Sequence, residues 1–183
     1  MKAMARTAGR GFTIIEVLVT ITVLGILIMI AMPTFGEWLQ NQQLRAAADA
    51  TVNGLQVARS EAIRRNLPVQ VVFSPPQTGW VVTEQPPTMT FVQGRDHNEG
   101  SPNAQLTMTP GGSTTVTFNP LGGVGTNADG TVAVTRIDIA NTFGGACQPA
   151  GPMRCLRVVI SAGGTMRMCD PHPSVVAPDP RAC

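Results

Sequence analysis

From Phe12 to Met32 the chain runs for 21 residues, FTIIEVLVTITVLGILIMIAM, with Glu16 as the sole charge. About 20 apolar residues in an α-helix cross the hydrocarbon of a bilayer, so the run predicts a membrane-spanning helix. Lys2, Arg6 and Arg10 precede it with no acidic residue among them, and a basic flank of this kind stays on the cytoplasmic side. The expected topology is a single pass, with the N-terminus cytoplasmic and the C-terminal domain exported. A carboxylate inside such a run costs about 3 kcal/mol even on mild insertion scales, which marks Glu16 as a functional residue by default. A secretory signal fits less well, because its apolar core covers only about 7–15 residues and ends at a small-residue cut site. Ala31-Met32-Pro33 is a poor version of that site. A plain anchor accounts for the length of the run but leaves Glu16 without a partner.

The order Gly11-Phe12-Thr13-Ile14-Ile15-Glu16, behind a short basic segment and ahead of an apolar helix, resembles a type IV prepilin leader. Pro33 stands where that family commonly places a helix-kinking proline. The resemblance implies an inner-membrane pass with a periplasmic C-terminal domain, cleavage between Gly11 and Phe12 by prepilin peptidase, and methylation of the new Phe12 amino group. It also implies assembly with other pilins or pseudopilins through the N-terminal helix, where Glu16 meets a neighbour's terminal amine. Gly25, Thr20 and Thr22 suit that role, since small residues let membrane helices approach closely.

About 150 residues follow the run, enough for one further domain. Nineteen glycines, fifteen prolines and no tyrosine point to short strands joined by loops. The formal charge of +2 misleads. Without Lys2, Arg6 and Arg10, ten of the thirteen basic residues remain, all arginine, against eleven acidic ones. A nearly neutral mature chain gives no global argument for a nucleic-acid partner. Cys147, Cys155, Cys169 and Cys183 form an even set in an exported segment, which reads as disulfides with three possible connectivities. Cys147–Cys155 with Cys169–Cys183 is favoured, because these pairs close a Pro/Gly-rich loop and tie down the tail. Cys155–Cys169 across a hairpin is the rival. A metal site using Cys169 and His172 lacks the paired C-x-x-C spacing of common zinc sites, so neither a metal nor another cofactor is expected.

Pro33 and Gly36 predict an interruption of the helix, as a kink or local melt. The helical pattern then resumes from Glu37 to Asn66. Leu44, Ala48, Thr51, Leu55, Ala58 and Ala62 form one stripe; Asp49, Asn53, Ser60 and Arg64 lie opposite. Glu61 is spaced to pair with Arg65, and Pro68 ends the pattern. Segments 68–73, 79–82, 88–92, 114–118, 131–139, 155–161 and 165–168 read as strands, with 93–112 and 119–130 as loops. Ala162-Gly163-Gly164 reads as a hairpin turn, with Leu156, Val158 and Ile160 on one face and Arg157 and Ser161 on the other. The segment Val57–Asn66, and the ending from Arg154 to Cys183, resemble the GspH/FimT/FimU branch of pilin-like proteins.

The expected class is α+β: a long N-terminal helix, membrane-spanning in its first half, packed on a C-terminal antiparallel β-sheet domain as in pilins. Its expected divisions are a leader at 1–11, an assembly helix at 12–32, an amphipathic helix at 33–67 and a β-rich domain at 68–183. Catalysis is not expected. His97 and His172 are isolated, Asp138, Asp170 and Asp179 read as turn or ion-pair residues, and hydrolase and metalloprotease signatures are absent. The expected role is a minor pilin or pseudopilin of a type IV pilus or a type II secretion pseudopilus. The alternative is a DNA-binding tip subunit for uptake in transformation, with Arg154, Arg157, Arg167 and Arg181 as phosphate contacts. Some FimT proteins bind DNA through Gly-Arg-x-Arg; this chain has Gly164-Thr165-Met166-Arg167 at the matching place, one arginine short. DNA is therefore not the favoured partner.

Overall fold

A computed structural model describes residues 11–141 and 143–183. Most of the expected leader, residues 1–10, lies outside them. The chain divides between Gly36 and Glu37 into two units.

Helix α1, Ile14–Arg65, is 52 residues long. The helix runs unbroken through Pro33 and Gly36, so the chain does not melt there, which corrects that part of the expectation. A proline removes one ladder hydrogen bond, a small loss against the many that flank it. Within the first unit, Ile14–Met32 has a mean hydropathy of 2.7 and no buried residue. At 1.5 Å per residue, those 19 residues are about 28 Å long, close to the thickness of a bilayer core. Thr20 donates its hydroxyl to the Val17 carbonyl at 2.8 Å, and Thr22 donates to those of Leu18 and Val19 at 3.0 and 2.8 Å. Each hydroxyl is thus satisfied by its own helix and needs no partner from lipid.

In the second unit, the predicted stripe of α1 is the helix's contribution to the core. Leu44, Ala48, Thr51, Leu55, Ala58 and Ala62 are all fully buried, while Asp49, Asn53, Ser60 and Arg64 are exposed. The helix stops at Arg65 because Asn66 turns left-handed (φ 54°), a conformation asparagine tolerates at a C-terminal cap. Pro68 comes only after that cap.

Eight strands follow: β1 Val69–Phe73, β2 Trp80–Glu84, β3 Phe91–Arg95, β4 Gln105–Thr109, β5 Thr115–Phe118, β6 Arg136–Ala140, β7 Leu156–Ile160 and β8 Met166–Cys169. They form two four-stranded antiparallel sheets, ordered β3-β2-β1-β5 and β4-β6-β7-β8. In the first sheet, Val71 is in register with Val82 and Val116, and Phe73 with Trp80; all five side chains are buried. In the second, Leu106 faces Ile139, and Met108, Ile137, Val158 and Met168 stand in one row. Buried residues of the helix and both sheets form one hydrophobic cluster.

The expected 93–112 loop is corrected by β4. There Leu106 and Met108 point inward between exposed Gln105 and Thr107, so only two of five residues carry an apolar signal. The strand expected from residue 131 begins at Arg136. Residues 134–135 instead link the sheets: the Val134 and Thr135 N–H groups donate to Thr115 and Thr109, and Ile160 N–H donates to the Thr135 carbonyl.

Candidate assembly helix and arginine surfaces

The start of α1 is a capping box in sequence, Thr13-Ile14-Ile15-Glu16. Thr13 precedes the helix and its hydroxyl accepts the Glu16 N–H at 3.3 Å. The interaction satisfies one of the donors that every helix start leaves open. It also fixes Glu16 in the first turn, where the positive end of the helix dipole favours a carboxylate. Gly11 and Phe12 lie just before the helix without regular structure, and both are exposed, as is Glu16. Gly11 has no heavy atom within 4 Å of where a Cβ would sit. The expected scissile bond is therefore uncovered, and the carboxylate that would receive an amine is four residues further on.

The cysteines pair as Cys147–Cys155 and Cys169–Cys183, with no free thiol among the described residues. The second bond fastens the chain end to β8, helped by the Asp170 N–H donating to the Arg181 carbonyl at 2.8 Å. The tail so held lines a cavity of about 610 Å³ with Arg157 and Arg167. On the same sheet face, Asp138 of β6 accepts from Arg157 at 2.6 Å and lies 3.1 Å from Arg136. The Arg167 side chain makes no hydrogen bond or ion pair among the described residues.

Arg154 and Arg181 line a different cavity, of about 590 Å³, with Arg45 of α1. The four sequence-selected arginines thus divide between two hollows. Two are already matched by carboxylates: Arg157 by Asp138, and Arg181 by Asp179 at 2.8 Å. The hydrogen bonds from Arg181 hold the Asp179 carboxyl below its ordinary range. Among the described residues, no three His, Cys, Asp or Glu side chains gather as a metal ion requires.

Arg59, unselected from sequence, donates to the Gly122 carbonyl at 2.9 Å. It pins the loop after β5 beside the β7–β8 turn, where a Cβ on Gly164 would collide with that same carbonyl oxygen. A single arginine on a helix face carries no signal for such a contact. At the helix end, Arg65 reaches Glu61 at 2.7 Å as its spacing predicts, and also Glu84 of β2 at 2.7 Å. Hydrogen bonds from Arg64 and Arg65 lower the Glu61 carboxyl to about 2.

The model for the family described as type II transport protein GspH matches residues 47–164. The model for the prokaryotic N-terminal methylation motif matches residues 6–32. No curated protein matches the chain. Among solved structures, the type IV minor pilin FimU of Pseudomonas aeruginosa PAO1 is similar in two crystal forms, each 18% identical with a TM-score of 0.48. The alignments cover 74% of this chain and 92% of FimU in one form, and 73% and 96% in the other. With a methylation motif over its apolar helix and a match across more than half its length, this chain belongs to the type II transport protein GspH family.

Proposed function

We propose that the chain is a minor pilin or pseudopilin, built into or priming a type IV pilus or a type II secretion pseudopilus. The observation that carries this reading is the wholly unburied apolar stretch Ile14–Met32 with Glu16 in its first turn. An apolar helix face that its own chain does not cover needs lipid or other helices, and a carboxylate at that depth needs a positive partner. Prepilin peptidase cuts between Gly11 and Phe12 in this account, and the Phe12 amine is methylated. That amine then meets Glu16 of a neighbouring subunit, while the β-rich domain stays on the periplasmic side of the inner membrane. Pro33 gives the assembling helix a point where one backbone bond is missing.

The DNA-binding reading is weaker. Only Arg154 and Arg167 of the four candidates are uncommitted to a carboxylate, and they line different cavities. Glu16→Ala tests the assembly reading. Insertion and leader cleavage should persist while recovery in filaments falls about tenfold or more, since an unpaired terminal amine in the bundle costs several kcal/mol. Wild-type incorporation of the variant would refute the pairing.

A further inference from the structure

Each of the two sheets has two edges, and a bare edge presents unpaired N–H and C=O groups. The chain itself meets three of the four. The Thr117 and Thr115 carbonyls of β5 accept the Gly125 and Val134 N–H groups at 2.8 and 3.3 Å, and the Leu106 N–H of β4 donates to the Pro76 carbonyl at 2.7 Å. At the end of β8, the Asp170 N–H donates to the Arg181 carbonyl of the disulfide-held tail at 2.8 Å. β3 is different. The Phe73 N–H of β1 donates to Thr114, just before β5, and peptide groups alternate in direction along a strand. Val72 and Gln70 therefore turn theirs to β2, where they pair with Val81 and Thr83. The residues opposite those two on β3 are Gly94 and Phe91, whose N–H and C=O groups are left directed away from the sheet. No hydrogen bond to these groups occurs among the described residues.

The side chains along that edge are apolar and already set. Phe91 lies across Gly94, where a Cβ would come 3.4 Å from the Phe91 Cε2 and 3.6 Å from Val81 Cγ2. Phe91 is nonetheless 65% exposed, with Val81 and Met89 exposed as well. Apolar surface thus flanks two outward peptide groups. Both ends of the strand are fixed. The Glu84 N–H donates to the Thr90 carbonyl at 3.0 Å before it, and the Thr78 and Ser101 hydroxyls meet at 3.1 Å beyond it. An edge held in shape loses little entropy on docking. A register shift opposite Val82 and Thr83 interrupts the edge, and β3 is five residues long. Such a bulge discourages open-ended sheet growth but leaves room for one short strand.

We propose that the edge of β3 takes an extended segment of an unlike exported subunit as a fifth strand of the first sheet. Backbone hydrogen bonds to Phe91 and Gly94 supply the attachment, and an apolar side chain against Phe91 and Val81 supplies selectivity. The partner is not a second copy. A second copy offers the same edge, since its other three are met by its own chain. β3 paired with β3 is isologous and closes on itself, leaving neither edge for a filament. A minor or priming subunit also sits among chains unlike itself. This rests on the assembly reading above and adds to it a contact outside the membrane helix.

The test uses the full-length protein in the membranes of cells that assemble filaments. A photoreactive phenylalanine analogue replaces Phe91 in one chain, Gln93 in a second and Leu24 in a third. Phe91 and Gln93 lie on opposite faces of the edge, being in register with Thr83 and Val82. Their adducts should therefore map to neighbouring residues of one short segment in a single other protein, the signature of a paired strand. Gly94→Pro removes an outward N–H and no bond to β2, a change that sheet edges tolerate. It should lower both adducts about fivefold, the scale of one hydrogen bond, and leave the Leu24 adducts and the head's protease resistance unchanged. Phe91→Lys, with the probe at position 93, should lower them as well, because a charged edge resists pairing; if the proline variant is clipped by protease, this result decides. Adducts to a second copy, adducts from the two positions to unrelated segments, or adducts indifferent to the deciding variant would overturn the proposal. So would adducts at Leu24 with none at 91 or 93, which leaves assembly in place. No adduct at any of the three would overturn the assembly reading together with the contact.

Discussion

Replacing Gly54 by alanine sets helix propensity against core packing. In an open helix the change stabilises by about 1 kcal/mol, because glycine loses more backbone entropy and alanine loses least. Here a Cβ at Gly54 would lie 2.8 Å from Cε2 and 2.9 Å from Cδ2 of Trp80. These two atoms form the fused bond of an indole that is 2% exposed, so the ring cannot yield by rotating a free end. Overfilling a packed core costs about 1–3 kcal/mol, and a rigid neighbour puts this case near the upper end. The net expectation is a loss of about 1–2 kcal/mol. Pulse proteolysis of the full chain in detergent across a urea series, disulfides intact, reads the head's stability. In a Trp80→Leu background the obstruction is gone, and the same glycine change should stabilise by about 1 kcal/mol. The resulting coupling of about 2–3 kcal/mol identifies the contact. If Gly54→Ala stabilises the native background as well, the helix does not seat against Trp80 as described.

The acid response follows from the Glu61 carboxyl, lowered to about 2 by hydrogen bonds from Arg64 and Arg65. A depressed carboxyl stabilises the fold above its unfolded pKa and loses that contribution as pH falls towards the folded value. Stability should therefore drop between about pH 4.5 and 2. Glu61→Gln should flatten part of that slope in acid urea titrations; an unchanged slope would refute the assignment. For the tail, Cys169→Ser with Cys183→Ser removes a bridge across 14 residues, worth about 3 kcal/mol on chain-entropy grounds. Limited proteolysis should then clip 171–182 first, and equal resistance to protease would count against the tail being held by that bond. Glu16→Ala, separately, should spare insertion and lower recovery in filaments about tenfold or more.

Much of this architecture was legible because the signals are periodic. Six stripe residues of α1 were identifiable from their three- and four-residue steps, and each is fully buried. The β7–β8 hairpin was legible from Leu156, Val158 and Ile160 alternating ahead of Gly163-Gly164. β4 was not, because two apolar residues among threonines and a glutamine leave too weak an alternation to distinguish a half-buried strand from a loop. The division into two sheets was hidden as well. It depends on β1 pairing with β5 and β4 with β6, each across intervening strands and loops, which no side-chain pattern records.

At the site, Glu16 stood out because charge in an apolar run is costly, and its capping partner Thr13 is readable from spacing. The arginines were harder. Arg157 and Arg181 look free in the sequence, yet Asp138 lies across the sheet from the first and Asp179 beside the second. The convergence of Arg45 with Arg154 joins positions more than 100 residues apart, and only the fold brings them to one cavity.

The central claim is that this is a processed, assembling pilin-type subunit, and its most direct test is N-terminal mass spectrometry of membrane-extracted protein from cells with and without prepilin peptidase. The account predicts a chain beginning at N-methylated Phe12 only where the peptidase is present, and an uncut Gly11–Phe12 bond where it is absent. An intact leader in both, or a cut beyond Met32, would contradict it.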